Sequence, residues 1–290
     1  MNCVVVGGGA WGTAFAHLLR ERGHDVHVAR RETIDDAPYD DAELVVMAVP
    51  SSAFGDALGH VRGTAPVLSL TKGLDPETGE RLSTLVRDRP VAVLSGPNMA
   101  EEVLAGLPGA AVIASEDESL ALALQEATTS ALFRVYTNSD LTGVELCAAA
   151  KNVIALAAGG VDGLGLGDNA KAAIITRGLV EMGRLGEACG AETETFSGLA
   201  GLGDLVVTCW HPSGRNRRAG ELIARGATPE EAKAEIGQVV EGLATAPVLR
   251  DLSHRIGVEL PITEGVCAVL DGMPLNELAG SLMGRRPTDE

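Results

Sequence analysis

A chain of 290 residues, 46% hydrophobic but only 3% aromatic, is long enough for two domains whose cores must be packed from aliphatic side chains and alanine. Its net charge of -17 repels nucleic acid and anionic membrane, and a carboxylate excess of this size suggests a halophilic protein kept hydrated in a high-salt cytoplasm. Five scattered cysteines, never paired as C-x-x-C, and six unclustered histidines argue against a disulfide framework, a zinc ribbon or any bound metal.

The first apolar run, Cys3–Val6, is too short for a secretory signal and leads straight into glycines. No apolar run approaches the roughly 20 residues needed to span a bilayer, so a cytoplasmic location is expected. Further runs follow at Val26–Ala29, Leu44–Val49, Val67–Leu70, Val91–Leu94, Ala110–Ala114 and Phe133–Tyr136. Apolar on both faces and bounded by Gly, Pro or Asp, they read as buried strands of a mostly parallel sheet. Their alternation with helical or loop stretches predicts a doubly wound, Rossmann-type α/β domain over residues 1–139.

After Asn138 strand-like runs vanish and helical stretches take over, which predicts an all-helical substrate and catalytic domain over residues 140–290. Asp140 suits the N-cap of a helix through Lys151 to about Ala158. A second helix is expected over Ala170–Ala188, stopped by a left-handed Gly190. Others are expected over Arg215–Ala224, Pro229–Glu235, Ala244–Arg255, Thr263–Leu270 and Leu275–Met283. Thr228 and Pro229 make a natural start for the Pro229 helix.

Gly7-Gly8-Gly9-Ala10-Trp11-Gly12 is a G-x-G-x-x-G placed between a strand and a helix, the context in which the motif binds a dinucleotide. Gly7 serves the tight turn, Gly9 lets backbone approach a pyrophosphate, and Gly12 lets helix and strand pack closely. The N–H groups opening the helix would face the phosphates. Where NAD-selective folds place an acidic residue for the ribose 2′-OH, this chain has Arg30 and Arg31. Two guanidinium groups can hold a 2′-phosphate by charge-assisted hydrogen bonds, so NADP is expected to be preferred over NAD.

Three clusters fall at expected strand ends, where an open α/β sheet binds ligands: Ala48-Val49-Pro50-Ser51, Ser69-Leu70-Thr71-Lys72-Gly73 and Ser95-Gly96-Pro97-Asn98. The second half adds Lys151-Asn152-Val153, Gly165-Leu166-Gly167-Asp168-Asn169, Ile175-Thr176-Arg177-Gly178, Gly198 to Leu205, Thr208-Cys209 and Gly214-Arg215-Asn216-Arg217. Only four lysines occur, Lys72, Lys151, Lys171 and Lys233, and three of them fall in or beside these clusters. In this order, and through Pro261-Ile262-Thr263-Glu264, the clusters resemble the bacterial-type NAD(P)-dependent glycerol-3-phosphate dehydrogenase family over nearly the whole chain.

The resemblance implies reversible hydride transfer between a nicotinamide and C2 of dihydroxyacetone phosphate, giving sn-glycerol 3-phosphate for phospholipid backbones. It implies that Ala10 and Trp11 line the cofactor phosphate turn, with Arg30 and Arg31 at the adenosine end. Lys72, Gly96 and Asn98 would contact substrate, Asn98 standing where the family usually has serine, and Lys72 and Ala100 would also touch the cofactor. Lys151 resembles the catalytic lysine, with Asn152 and Asp204 beside it. Gly214, Arg215 and Asn216 would bind the substrate phosphate, and Arg215, Val239 and Glu241 would reach the cofactor. A homodimer is the candidate assembly.

Elementary chemistry agrees with this reading. Reducing a ketone needs a proton donor for the developing alkoxide, and a lysine among Ala148, Ala149 and Ala150 would have its pKa drawn towards neutrality, with Asp204 to hold it protonated. A dianionic phosphate needs fixed donors, which Arg215 and Asn216 at a helix start would supply. Lys171 fits either a supporting role or plain surface charge. Two features depart from the family. Only Glu32 to Glu43 separate the second and third strands, too short for a packed crossover helix, and Gly214 replaces a serine, leaving backbone, Ser213 or water to bond the phosphate. Rival readings are a β-hydroxyacid or ketopantoate-type reductase and a silent dinucleotide-binding sensor.

Overall fold

The computed structural model describes residues 1–275 and 277. In its first half the strands β1 (Asn2–Val6), β2 (Asp25–Ala29), β3 (Leu44–Met47), β4 (Val67–Ser69), β5 (Val91–Ser95), β6 (Gly109–Ala114) and β7 (Phe133–Asn138) form one sheet, ordered β2-β1-β3-β4-β5-β6-β7. All pairings are parallel except β5 with β6. Alternation along β1 explains the layering. Cys3 and Val5 join a core with Phe15 and Leu19, while Val4 and Val6 join the opposite core with Tyr39 and Phe54.

Helices α1 (Ala10–Glu21), α2 (Phe54–Gly59), α3 (Ala100–Leu104) and α4 (Glu118–Thr128) connect these strands. Between β2 and β3 there is no packed helix. Two 3₁₀ turns, Arg31–Thr33 and Tyr39–Asp41, carry the chain, and Ala37 and Tyr39 are buried beneath them. This strap is latched from outside. Arg62 donates to the Asp35 carbonyl at 3.0 Å and lies over the Tyr39 ring, and His60 contacts the Asp35 carboxylate at 2.6 Å.

The second half runs through α5 (Leu141–Gly163), α6 (Gly167–Ala188), α7 (Thr193–Ser197), α8 (Asp204–Trp210), α9 (Arg215–Ala224), α10 (Pro229–Ile236), α11 (Glu241–Ile256) and α12 (Pro261–Leu270). The Asp140 carboxylate caps α5 by accepting from Gly143 N and also accepts from Glu192 N and Thr195 Oγ1. Helix α5 is the axle of this half, buried along most of its length. Its core is continuous with the sheet, since Val93, Val112 and Ala114 pack in the same cluster as Val144, Val153 and Leu243.

Three expectations need correction. Helix α5 continues to Gly163 rather than ending near Ala158, because Gly159 and Gly163 face the backbone of α9 instead of breaking the helix. By length and composition α5 is also apolar enough to cross a membrane, contrary to the reading that no run is. Of that window 94% is buried inside the fold, and its interrupting Glu145, Lys151 and Asn152 are paired there. Third, α7 falls in a stretch for which no element was expected, and a π-turn over Leu199–Gly203 and α8 lie where only the clusters Gly198 to Leu205 and Thr208-Cys209 were read. The expected helix Leu275–Met283 falls almost wholly outside the described residues.

Candidate active site

The glycine turn sits at the carboxyl end of β1 and opens α1. Gly7 has φ +112, and a Cβ there would lie 2.4 Å from the Ala48 carbonyl oxygen, so only glycine fits where the turn meets the end of β3. A Cβ on Gly12 would fall 2.0 Å from the Gly7 oxygen, which is the close helix–strand packing the motif exists for. Gly9, by contrast, faces nothing within 4 Å. Open space lies above backbone whose helix-start N–H groups have no intrahelical partner, a cradle that fits a dinucleotide pyrophosphate.

Ala10 is exposed at the first turn of α1. Trp11 enters that turn through its backbone, because its ring packs on Phe15 and Phe133 at centroid distances of 6.1 and 6.3 Å. Arg30 and Arg31 are exposed just beyond β2. The Arg30 guanidinium folds across the glycine turn, its Cζ 3.0 Å from where a Gly8 side chain would begin, closer than ordinary contact.

The polar centre lies where the ends of β4 and β5 meet α5 and α8. Asp204, 2% exposed, opens α8 and holds two ammonium groups, one per oxygen: Lys151 Nζ on Oδ1 at 2.9 Å and Lys72 Nζ on Oδ2 at 2.8 Å. Lys151 also donates to Thr208 Oγ1 at 2.8 Å, and Thr208 donates to Asp204 Oδ1 at 3.3 Å. An ammonium group has three N–H donors, so one on Lys151 remains for a substrate oxygen. Lys72 is more fully engaged, donating in addition to the Gly96 carbonyl at 3.4 Å and Asn98 Oδ1 at 3.3 Å. Gly96 has φ +132, which brings its carbonyl to this position. The Asn98 Nδ2 group is buried without a partner, a donor waiting for one.

Amide side chains continue the network towards α11. Asn152 donates to the Ala148 carbonyl at 3.3 Å and accepts from Asn216 Nδ2 at 2.9 Å, while Asn216 Oδ1 accepts from Gly242 N at 2.9 Å. Arg215, exposed at the start of α9, donates to the Val239 carbonyl at 2.9 Å. Glu241 crosses to the end of β3, accepting from Ser51 Oγ at 2.7 Å and Ser51 N at 3.3 Å. Gly214 is the N-cap of α9 and lends no side chain. The Ser213 hydroxyl faces His211 at 3.0 Å and Glu101 at 3.4 Å. Ala100 opens α3, two residues beyond Asn98.

Burial of Lys151 works against its charge, and although Asp204 opposes this, the ammonium pKa falls to about 8. Burial would raise the Asp204 carboxyl, but the Lys151 and Lys72 charges outweigh it and hold the group below its ordinary value. A carboxylate, a proton donor of near-neutral pKa and several fixed donors therefore share one cleft. That set can deliver a proton to a developing alkoxide while holding an anionic substrate. Sequence reasoning named Thr208 only as part of a cluster. Its four-residue spacing from Asp204 is the signal that both face one side of a helix. Ser51 was likewise named without its link to Glu241.

Residues 32–121 match the family described as NAD-dependent glycerol-3-phosphate dehydrogenase N-terminus, and residues 140–278 match its C-terminus. The sequence is 43% identical to the Citrobacter koseri protein named glycerol-3-phosphate dehydrogenase [NAD(P)+], covering 100% of this chain and 97% of that one. An Escherichia coli protein of the same name is 42% identical with the same coverage. The fold matches the crystal structure of a Coxiella burnetii glycerol-3-phosphate dehydrogenase with a TM-score of 0.92 and 35% identity, covering 98% of this chain and 99% of that one. A Ralstonia eutropha ketopantoate reductase, 16% identical with a TM-score of 0.59 over 96% of this chain and 100% of that one, shares the fold alone.

Proposed function

Because the chain belongs to the NAD-dependent glycerol-3-phosphate dehydrogenase family, we propose that it interconverts dihydroxyacetone phosphate and sn-glycerol 3-phosphate at the cleft around Lys151. It is an oxidoreductase that uses NAD(P). The observation that carries the reading is the shared carboxylate of Asp204, with a buried ammonium of lowered pKa on one oxygen and a second lysine on the other.

A nicotinamide dinucleotide held by the glycine turn would supply or accept the hydride at C2. The rest is the work of this chain. Lys151 donates its free proton to the carbonyl oxygen as the alcohol forms, and solvent reprotonates the amine. In the reverse direction the neutral amine takes the hydroxyl proton. Asp204 keeps the ammonium charged, and Thr208 fixes its direction. The unpartnered Asn98 amide holds the substrate beside it, joined by Lys72 when it gives up one of its long bonds to the Gly96 carbonyl or Asn98 Oδ1. Arg215 and Asn216, at the start of α9, hold the phosphate together with backbone N–H groups, since Gly214 brings no hydroxyl. Gly7, Gly9, Ala10, Trp11 and Gly12 would cradle the pyrophosphate, with Ala100, Val239 and Glu241 closer to the nicotinamide. Arg30 and Arg31 give NADP the advantage over NAD.

Residues 1–139 and 140–290 are the two units of this design. The product feeds phospholipid backbones in a cytoplasm of high salt, the setting that suits a charge of -17. Cationic and amide donors at both ends favour a phosphate-bearing substrate over the carboxylate of a ketopantoate-type reductase, and a silent sensor would have no use for the Lys151–Asp204 pair. Oxidation of NADPH and NADH should be followed with dihydroxyacetone phosphate and, in parallel, 2-ketopantoate. Turnover of the phosphate substrate alone, faster with NADPH at low cofactor, is expected. Preferred turnover of ketopantoate, or binding without turnover of either, would overturn the reading.

A further inference from the structure

Lys171 takes no part in the chemistry described so far, yet it is buried, 5% exposed, in the first turns of α6. A buried ammonium is costly unless paired, so its partners indicate what holds it there. Its Nζ donates to Asp162 Oδ2 at 2.8 Å and lies 4.9 Å from the centre of the Trp210 ring. The same carboxylate oxygen is 2.7 Å from Arg217 Nε, an ion pair and not an aligned hydrogen bond. Asp162 belongs to the last turn of α5, Trp210 ends α8, and Arg217 lies in the first turn of α9.

Four residues, His211 to Gly214, join α8 to α9, and this turn delivers Arg215 and Asn216. Lys171 and Asp162 therefore hold both ends of the turn, Trp210 before it and Arg217 after it. Helix α9 has a second anchor, because a Cβ on Gly159 or Gly220 would lie 1.9 or 2.0 Å from backbone oxygen across the α5–α9 contact. The Trp210 end lacks such packing, the residue being 48% exposed. Lys171 is committed to Asp162, which lies eleven residues beyond Lys151 on α5, roughly 16 Å along the axis.

We propose that Lys171 is a positioning residue for the phosphate end of the cleft, fixing the 211–214 turn through Asp162, Trp210 and Arg217. The inference rests on the substrate reading above. Loss of the ammonium frees the Trp210 end, while Asp162 keeps Arg217 as partner and no charge is orphaned. A displaced phosphate grip weakens substrate and transition state alike, which raises KM and spares kcat.

The test compares Lys171→Met and Lys171→Arg in the full chain by steady-state kinetics and by calorimetric binding of inorganic phosphate. Lys171→Met is expected to raise KM for dihydroxyacetone phosphate and weaken phosphate binding, each about tenfold, with kcat within about twofold and NADPH binding unchanged. Lys171→Arg should recover most of the loss. If Lys171→Met does not fold, Trp210→Leu should move KM and phosphate affinity the same way. Unchanged phosphate affinity, or a fall in kcat at constant KM, overturns the proposal. A wild-type protein inert towards dihydroxyacetone phosphate defeats the substrate reading instead, and calorimetry still tests Lys171.

Discussion

Two lysines on one carboxylate set the pH behaviour of the cleft. Burial lowers the Lys151 pKa to about 8 from an ordinary 10.5, whereas Asp204 stays ionised far below that range. Ketone reduction needs the ammonium form, so kcat/KM for reduction should be level below pH 8 and fall about tenfold per unit above it. Alcohol oxidation needs the neutral amine and should rise to a plateau over the same range. Stability moves the other way from the reductive rate. Between pH 8 and 10.5 the unfolded chain binds more protons than the folded one, so the cost of burying the charge is relieved as pH rises. Parallel pH profiles of both directions check this, and a reductive limb that stays flat beyond pH 9 would contradict it. At this scale much of the site was legible. Lysines are rare here, and the resemblance set Asp204 beside Lys151, where the two form an ion pair at 2.9 Å; that Lys72 shares the same carboxylate was not read from the sequence. Thr208 was not picked out as the partner of Lys151, because its role depends on α8 starting at Asp204, immediately after a run of glycines that reads as loop.

Glycine inside a helix is normally a weakness, and here it is the means of contact between the two helices that bear Lys151 and Arg215. Gly159 and Gly163 of α5 and Gly220 of α9 let the backbones touch. Read along the sequence, Gly159-Gly160 looks like a helix stop, and only the neighbouring helix explains why α5 runs on to Gly163. The strands, in contrast, were legible: the inner ones are buried on both faces and therefore nearly continuous apolar runs, while the edge strands β2 and β7 keep apolar residues at alternate positions and turn His27, Arg134 and Tyr136 to solvent. The strap between β2 and β3 was legible as too short for a helix. Its anchors, Arg62 and His60, lie about 25 residues away and left no local signal. Gly220→Ala would press a methyl group 2.0 Å from the Leu156 carbonyl oxygen and should cost about 3 kcal/mol or more. Gly183→Ala on α6 meets nothing within 4 Å and should stabilise by about 0.5–1 kcal/mol. Thermal melts of the two variants should move in opposite directions, and equal shifts would remove the packing argument.

Across the whole molecule a charge of -17 surrounds a cleft whose lysines and Arg215 are positive. Surface carboxylates repel one another over a Debye length of about 10 Å in 0.1 M salt and about 3 Å at 1 M. Both melting temperature and turnover should therefore rise from dilute buffer to molar salt, and unchanged values would argue for an ordinary acidic protein. The order of the halves was legible from the change in sequence texture at Asn138. Their interlock was not, since Glu145 of α5 accepts from Ser83 N at 2.9 Å and Glu241 accepts from Ser51, contacts between residues far apart in the chain. Catalysis rests on one buried amine acting on substrate held between two anion sites. The most direct test of this is Lys151→Ala, assayed for NADPH oxidation with dihydroxyacetone phosphate alongside NADPH binding by fluorescence. Turnover should fall by about a thousandfold or more with cofactor affinity intact; a variant that keeps wild-type turnover would contradict it.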